Sequence, residues 1–191
     1  DRSRRIKNFD QLATSEGRRI ALEIAEAGYE AVDTQEAIKH CISLNENDLQ
    51  IQGQSFDLTE YKRVFVIGFG KASALAAAAL EKILGEKIEA GVVVSNNMAE
   101  CKIIDIVKGT HPLPSEDNVR ASEKIVKLAQ KAEEDDLVIV LISGGGSALL
   151  CWPLSECEQA PRLYKAFLKS GGTIAELNTV RQHISGLKGG G

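Results

Sequence analysis

The sequence LVIVLISGGGSALL, at residues 137–150, decides the fold class of this chain. Its first six residues are apolar and mostly β-branched, which is typical of a strand buried on both faces of a parallel sheet. A glycine-rich turn follows, and the apolar residues after it predict the start of a helix. Such a turn brings backbone N–H groups and a helix end to one place, which favours a bound phosphate or carboxylate. The alternative is a tight turn whose glycines serve only packing. The predicted anion-binding residues of the turn are Ser143, Gly144, Gly145, Gly146 and Ser147.

A second glycine-rich turn is predicted where the apolar sequence RVFVIGFG ends at Gly70 and is followed by Lys71. It is not a Walker A loop, because the first glycine of that pattern would fall on Phe65. It is not a complete dinucleotide fingerprint either, because Ser73 occupies the third glycine position after Gly68 and Gly70. A lone lysine here would be typical of solvent-exposed surface. Beside another anion-binding turn, we interpret it as a cation of the same site.

The composition excludes several classes of protein. With 191 residues, a net charge of −4 and 43% hydrophobic residues, the chain is predicted to form one globular domain. Mild acidity argues against nucleic-acid binding, and no apolar stretch approaches the roughly 20 residues of a membrane span. The N-terminus shows no secretory signal. Four scattered cysteines indicate reduced thiols in a cytoplasmic protein, and the histidines show no metal-ligand spacing.

The order of the predicted elements indicates an α/β protein. We expect a three-layer, mostly parallel Rossmann-like sheet with helices on both faces, because strands and helices alternate along the chain. The predicted strands are 48–52, 63–68, 90–95, 102–108 and 137–142. The predicted helices are 8–32, 33–44, 72–84, 116–133, 155–169 and 173–187, with capping boxes at Asp33/Glu36 and Thr173/Glu176.

The last predicted helix carries an unusual set of polar side chains. Asn178, Arg181 and Ser185 follow i, i+3, i+7 spacing and therefore share one helix face. With no acidic residue near them, these side chains favour a face turned towards an anion. The alternative is an ordinary amphipathic helix with a solvated side.

Four long motifs resemble the N-terminal domain of the MOFRL-type glycerate kinases, some of which carry the older label hydroxypyruvate reductase. The motifs are GFGKAS (68–73), GTHPLPSEDN (109–118), LISGGGSALL (141–150) and SGGTIAELNTVRQHISGLKGGG (170–191). The resemblance implies that residues 1–191 are the N-terminal α/β domain of a longer enzyme whose C-terminal domain is absent from this chain.

The resemblance also implies an activity and a set of site residues. It implies ATP-dependent phosphorylation of D-glycerate with Mg²⁺, giving 2- or 3-phosphoglycerate, in a cleft between two domains. We expect the enzyme to be cytoplasmic and to form a homodimer. Lys71, Arg181 and Lys188 are implied to be catalytic, and Asn178 is implied to bind substrate with the glycine-rich turns. The metal ligands are expected in the second domain, so we expect the chain alone to be inactive.

Two other functions stay open at this stage. An NAD(P)-dependent hydroxypyruvate reductase would need an acidic residue about 20 positions after the glycine turn, where Glu89 lies. A non-catalytic module that binds a nucleotide or a sugar phosphate would keep both glycine-rich turns without any catalytic partner.

Overall fold

The computed structural model describes residues 4–189 and contains two separate sheets. The strands are β1 Ile42–Asn45, β2 Asp48–Ile51, β3 Gln54–Asp57, β4 Val64–Phe69, β5 Ile88–Ser95, β6 Ile104–Lys108 and β7 Leu137–Ile142. The α-helices are α1 Phe9–Leu12, α2 Glu16–Ala31, α3 Thr34–Cys41, α4 Ser73–Leu84, α5 Glu116–Ala129, α6 Gly146–Leu149, α7 Leu154–Ser170 and α8 Ile174–Ile184.

The main sheet is parallel and has the strand order β6-β5-β4-β7. Helix α4 packs on one face, with α3 behind it, and α5 packs on the other face. Small side chains such as Ala74 and Ala77, both fully buried, let the alanine-rich α4 approach the strands closely. The predicted class, a parallel α/β sheet with helices on both faces, is therefore confirmed.

The two faces of the sheet bury two separate apolar clusters. Val66 and Val93 point to the α4 face, whereas Phe65 and Val94 point to the α5 face. This alternation within each strand is what a sheet covered on both sides requires. It explains why β4 and β5 read as nearly continuous apolar runs.

The N-terminal third differs from the sequence-based prediction. The single helix predicted over 8–32 is two helices, because the chain breaks at Ala13 and restarts at Ser15, which caps α2 through the Arg18 amide. The helix predicted over 33–44 ends at Cys41. Asp33 does cap α3, but the Glu36 side chain pairs with Lys39 instead of closing a capping box.

A small antiparallel sheet follows α3, and only its middle strand was predicted. β1, β2 and β3 form two hairpins, with Leu44 opposite Leu49 and Leu49 opposite Phe56. Leu49 is fully buried against the cluster on the α4 face. The sheet therefore extends that side of the core.

The last two helices bury few side chains. Glu156 is the buried residue of α7, and Leu177 is the buried residue of α8. The predicted capping box of Thr173 and Glu176 is confirmed, but α8 ends at Ile184 rather than at 187. Within residues 4–189, no helix combines the length and the apolar character needed to cross a membrane.

An ion pair joins the amino ends of the two central strands. Arg63 precedes β4 and Asp136 precedes β7, and the guanidinium donates to both carboxylate oxygens at 2.9 and 2.7 Å. The Asp136 side chain is buried, and its hydrogen bonds with Arg63 hold the pKa of the carboxyl below its usual range. This bidentate pair fixes the register of β4 against β7 at the end far from the glycine-rich turns.

Candidate active site

The two glycine-rich turns lie side by side at the carboxyl edge of the sheet. β4 and β7 are parallel neighbours, and their last residues, Phe69 and Ile142, are opposite each other. The turn after β4 leads into α4 on one face, while the chain after β7 leads to α7, which packs with α5. Adjacent strands whose connections leave on opposite faces form the crevice where open α/β sheets bind ligands. The predicted common location of the turns is therefore confirmed.

Direct hydrogen bonds join the turns. The Lys71 amide donates to the carbonyl oxygen of Gly144 at 2.9 Å, and the Ala72 amide donates to the Ser143 hydroxyl at 3.0 Å. The hydroxyl groups of Ser73 and Ser143 are 2.9 Å apart. The Ser143 hydroxyl, predicted to face an anion, thus holds the first turn of α4 against the end of β7.

Two of the predicted binding glycines serve close packing. Gly68 lies inside β4, where an added Cβ would be 2.8 Å from a methyl group of Val93. An added Cβ at Gly146 would be 2.8 Å from the ring of Phe69. Both glycines are buried, so the structure assigns them to packing under the site.

The 143–147 turn presents unpaired backbone donors. Gly145 has a left-handed conformation, with φ of 84°, which turns the chain sharply before α6. In the described part of the chain, the N–H groups of Gly144, Gly145 and Ser147 have no hydrogen-bond partner. The helix start predicted after the turn is present, but α6 has only four residues and therefore contributes little helix dipole. The free N–H groups are what remain to bind an anion.

An open cleft of about 520 Å³ lies in front of this turn. The turn forms its floor, and α7, α8 and the loop after β6 form its walls. Its lining residues are Phe69, His111, Pro112, Ile142, Ser143, Gly145, Gly146, Ser147, Ala148, Tyr164, Phe167, Ile174, Leu177, Asn178 and Arg181.

The charged side chains that line or reach the cleft within the described residues are cations. Arg181 lines it, and Lys71 reaches its floor, since a Cβ built on Gly145 would be 3.1 Å from Lys71 Cε. The lining residues of the described chain include no carboxylate. Two cations and free N–H groups, with no carboxylate among the described lining residues, favour an anion here.

His111 is a cleft residue that sequence reasoning missed. A Cβ built on Gly145 would be 3.0 Å from His111 Cδ2 and 3.1 Å from Nε2, so this edge of the ring faces the turn. Burial, followed by the positive charges of Lys71 and Arg181, lowers the pKa of His111. Its position in the sequence could have indicated a cleft residue, because His111 lies inside one of the four motifs and in the loop after a predicted strand.

Asn118 holds the loop of His111 against the glycine-rich turn. Its fully buried amide accepts from the Thr110 N–H at 2.9 Å and donates to the Thr110 carbonyl at 3.0 Å. The same amide donates to the carbonyls of Ala148 and Leu149 at 3.2 and 3.1 Å. One side chain therefore fixes the residue before His111 relative to the residue after Ser147.

The polar face predicted for α8 is partly present. Asn178 and Arg181 both line the cleft, and the Arg181 Nη1 donates to Asn178 Oδ1 at 3.4 Å. Ser185 lies beyond the end of the helix and is buried, where its hydroxyl accepts from the Leu187 amide at 3.2 Å. It therefore does not extend the face that the spacing predicted.

Lys188 is not brought to the cleft. Its ammonium group forms an ion pair with the buried carboxylate of Glu156 and donates to the Leu150 carbonyl at 2.7 Å. Glu156 also accepts from the Trp152 amide at 3.0 Å. The structure thus gives Lys188 a part in anchoring the segment after α8, and this geometry does not support the catalytic part predicted for it.

The described residues do not fit a Mg²⁺ site at the cleft. Mg²⁺ prefers oxygen ligands, one or two of them carboxylates, and none lines the cleft in residues 4–189. An acidic cluster of Glu133, Asp135 and Asp136 precedes β7 at the opposite edge of the sheet. Two of its members already pair with Lys62 and Arg63. No magnesium chemistry is therefore assigned to this chain.

Comparison with known proteins identifies the family. The model of the family described as Domain of unknown function (DUF4147) matches residues 20–191. The chain is 35% identical over 177 residues to glycerate 2-kinase of Pyrococcus horikoshii, covering 91% of this chain and 39% of that protein. A relative from Agrobacterium vitis, 42% identical over 132 residues, covers 67% of this chain and 30% of its own length and carries a provisional name, hydroxypyruvate reductase.

Two crystal structures resemble the fold closely. A protein from Pyrococcus horikoshii OT3 superposes with a TM-score of 0.78 at 34% identity, over 93% of this chain and 41% of that one. Glycerate kinase from Thermotoga maritima superposes with a TM-score of 0.72 at 34% identity, over 90% and 39%.

The fold is that of the α/β domain found in the matched glycerate kinase structure. The chain belongs to the DUF4147 family, and the resemblance predicted from the four motifs is confirmed. It spans about two fifths of the length of the kinases that it matches.

Proposed function

We propose that this chain is the anion-binding part of an ATP-dependent glycerate kinase that converts D-glycerate to 2- or 3-phosphoglycerate. The main support is the convergence of Lys71, Arg181 and the free N–H groups of the 144–147 turn on one cleft without carboxylates. Phosphoryl transfer needs positioning and positive charge around the transferred oxygens far more than covalent help from the protein. The names of its relatives support the same activity.

Each group of the cleft has a part in this reaction. The free N–H groups of Gly144, Gly145 and Ser147 bind an oxyanion of the substrate. The Arg181 guanidinium suits the two oxygens of a carboxylate, and Asn178 orients it. Lys71, as a compact cation, stabilises the charge that develops on the transferred phosphoryl group.

The active site of the proposed kinase also needs a second domain. The matched kinases are more than twice as long as this chain. Their length supports the proposal that residues 1–191 form an N-terminal domain and that a second domain closes the cleft. That domain would supply the carboxylates for Mg²⁺, which this cleft lacks. A cytoplasmic location and a homodimer belong to the same proposal.

The dinucleotide alternative meets a specific obstacle. Glu89 is the second residue of β5, so it lies at the amino edge of the sheet, next to Arg63. The glycine turn after β4 lies at the carboxyl edge. An acid that binds the ribose of a dinucleotide follows the end of the second strand, so Glu89 cannot take that part. If the full-length protein oxidised NADPH in the presence of hydroxypyruvate, the reductase function would be supported instead.

The non-catalytic alternative differs from the kinase only in turnover. It would bind phosphate esters through the same turn and leave ATP intact. Affinity for glycerate or phosphate without any turnover in the full-length protein would favour it.

The test of the proposal is a kinase assay with a lysine variant. In the full-length protein, we expect D-glycerate to stimulate the formation of ADP from ATP. Lys71→Ala should lower kcat by roughly 10²- to 10³-fold, with a smaller change in KM, because the lost contact acts mainly in the transition state. Lys71→Arg should not restore kcat fully, because a planar guanidinium replaces a compact ammonium.

Lys127→Ala is the matched control, since Lys127 is exposed on α5 and remote from the cleft. It should leave both kinetic constants unchanged. Near-normal kcat in Lys71→Ala would show that Lys71 is a solvent-exposed residue without a part in catalysis. The main support for the kinase proposal would then be lost.

A further inference from the structure

A kinase of this type must accept a proton inside the cleft. When a hydroxyl oxygen of glycerate attacks the phosphoryl group, its O–H bond breaks and the proton leaves. A carboxylate commonly takes it in phosphoryl transfer, but the described lining residues contain none. Lys71 and Arg181 are cations that donate hydrogen bonds, and the Ser143 hydroxyl is engaged by Ala72. Among the described lining residues, His111 is the side chain suited to accept the proton.

The position of His111 suits this part. The Nε2–Cδ2 edge of its ring faces Gly145, whose N–H is one of the free donors. A substrate oxyanion held by that turn would present its neighbouring hydroxyl within reach of the ring. His111 is also held in place, since the Gly109 amide donates to the Ser95 carbonyl at 2.8 Å and Thr110 is bound by Asn118.

We propose that His111 is the general base of the reaction. As the substrate oxygen forms its bond to the γ-phosphorus of ATP, the hydroxyl proton passes to the His111 imidazole. The bond between the γ-phosphorus and the oxygen bridging to the β-phosphate breaks, and ADP leaves with that electron pair. The imidazolium then returns its proton to water. This inference rests on the proposed kinase function.

The surroundings keep the ring ready to accept a proton. The charged groups that face it in the described chain are Lys71, from the turn after β4, and Arg181, from α8. Tyr164, from α7, lines the same cleft. Burial and the two positive charges lower the pKa of His111, so the imidazole is neutral over a wider pH range than an exposed histidine.

The test compares His111→Gln with the parent full-length enzyme across pH. We expect kcat to fall by roughly 10²- to 10⁴-fold while KM for glycerate changes only a few-fold. The fall of kcat/KM towards acid pH in the parent should be absent from the residual activity of the variant. His183→Gln is the matched control, because His183 is an exposed histidine of α8 whose Nδ1 lies 2.8 Å from the Thr179 carbonyl oxygen.

Three results decide the proposal. A His111→Gln enzyme with kcat within about threefold of the parent, or with the acid limb unchanged, overturns the base assignment. A raised KM with unchanged kcat also overturns it, and assigns His111 to substrate binding instead. Thermal unfolding and binding of inorganic phosphate show whether the variant is folded, and His111→Asn serves as a second variant if it is not. A parent protein without glycerate-dependent ADP formation refutes the kinase itself, which separates the two failures.

Discussion

Gly70 and Ser143 approach each other more closely than any other residue type at position 70 would allow. A Cβ built on Gly70 would be 2.5 Å from the Ser143 carbonyl oxygen and 2.2 Å from its hydroxyl oxygen. The backbone of Gly70 also has φ of 131°, which residues with a side chain rarely adopt. This contact lets the turn after β4 reach the turn after β7.

Gly70→Ala is therefore expected to destabilise the protein strongly. Left-handed strain and a clash with backbone together should lower the free energy of unfolding by about 3 kcal/mol or more. Gly53→Ala is the control, because Gly53 has φ of 82° but open space around it. It should cost only about 1–2 kcal/mol. Urea denaturation measures both, and equal losses would show that the contact with Ser143 adds nothing.

The neighbouring glycines of the second turn should respond differently from each other. Gly145→Ala places a methyl group against His111 and Lys71 in a left-handed conformation, so we expect kcat to fall at least tenfold. Gly144→Ala meets no atom within 4 Å and should change kcat little. Steady-state kinetics of the two full-length variants check this. A larger loss in Gly144→Ala would mean that the turn binds its ligand through another face.

Asn118 should contribute far more to stability than its buried neighbour on the same helix. Asn118→Ala leaves several buried backbone groups without partners, which should cost about 3 kcal/mol of unfolding free energy. Ser122→Ala removes one bond, from the Cys151 amide, and should cost about 1 kcal/mol. Thermal or urea unfolding compares them. If Asn118→Ala proves the milder change, the loop of His111 is held by other contacts.

The buried Asp136 carboxylate should make stability depend on acid pH. Its pKa is lower in the folded protein than in the unfolded chain, because Arg63 hydrogen-bonds to it. Its contribution is therefore complete above the ordinary pKa of aspartate, about 3.9, and is lost as the pH falls through the lowered folded value.

Asp136→Asn should consequently destabilise the protein at pH 7 and much less at pH 2–3, as measured by urea unfolding at each pH. Asp135→Asn, a change at its exposed neighbour, should have a small effect throughout. A loss of stability in Asp136→Asn that stays constant with pH would contradict the charge argument.

The chain of residues 1–191 on its own is expected to bind an anion weakly and to show no glycerate kinase turnover. The free N–H groups of the turn are complete within it, but the cleft is open to solvent and lacks carboxylates for Mg²⁺. Isothermal titration with phosphate tests the weak anion binding. An assay for ADP formation from ATP in the presence of glycerate tests the absence of turnover. Robust turnover by this chain would refute the two-domain proposal.

The parallel sheet was predictable because its signals are local. Apolar strands such as β4 and β7 are followed by glycine-rich turns, and capping residues such as Thr173 mark the helix starts. The antiparallel sheet of β1–β3 was missed because its strands have four residues each and carry many polar side chains. The Gln52-Gly53 turn, with both residues at positive φ, was the available signal for its second hairpin.

The glycine-rich turns predicted where the cleft lies, but the parts of single residues were less predictable, since Gly68 and Gly146 serve packing. Asn178 and Arg181 were placed correctly by helical spacing, because both lie within one regular helix. Lys188 lies after that helix ends, where spacing carries no information, and it turned towards Glu156. His111 was missed because its loop enters the cleft only through the tertiary contact of Asn118 with Ala148.

The floor of the cleft is braced more firmly than its wall of α7 and α8. Arg63 and Asp136 join the strands at one end, and Lys71 and Gly144 join the turns at the other, so the floor is held at both ends. The helices α7 and α8, which form the wall, each bury a single side chain. Elements with few buried contacts unfold or shift locally at a low cost in free energy. We therefore expect α7 and α8, rather than the floor, to move when a ligand binds.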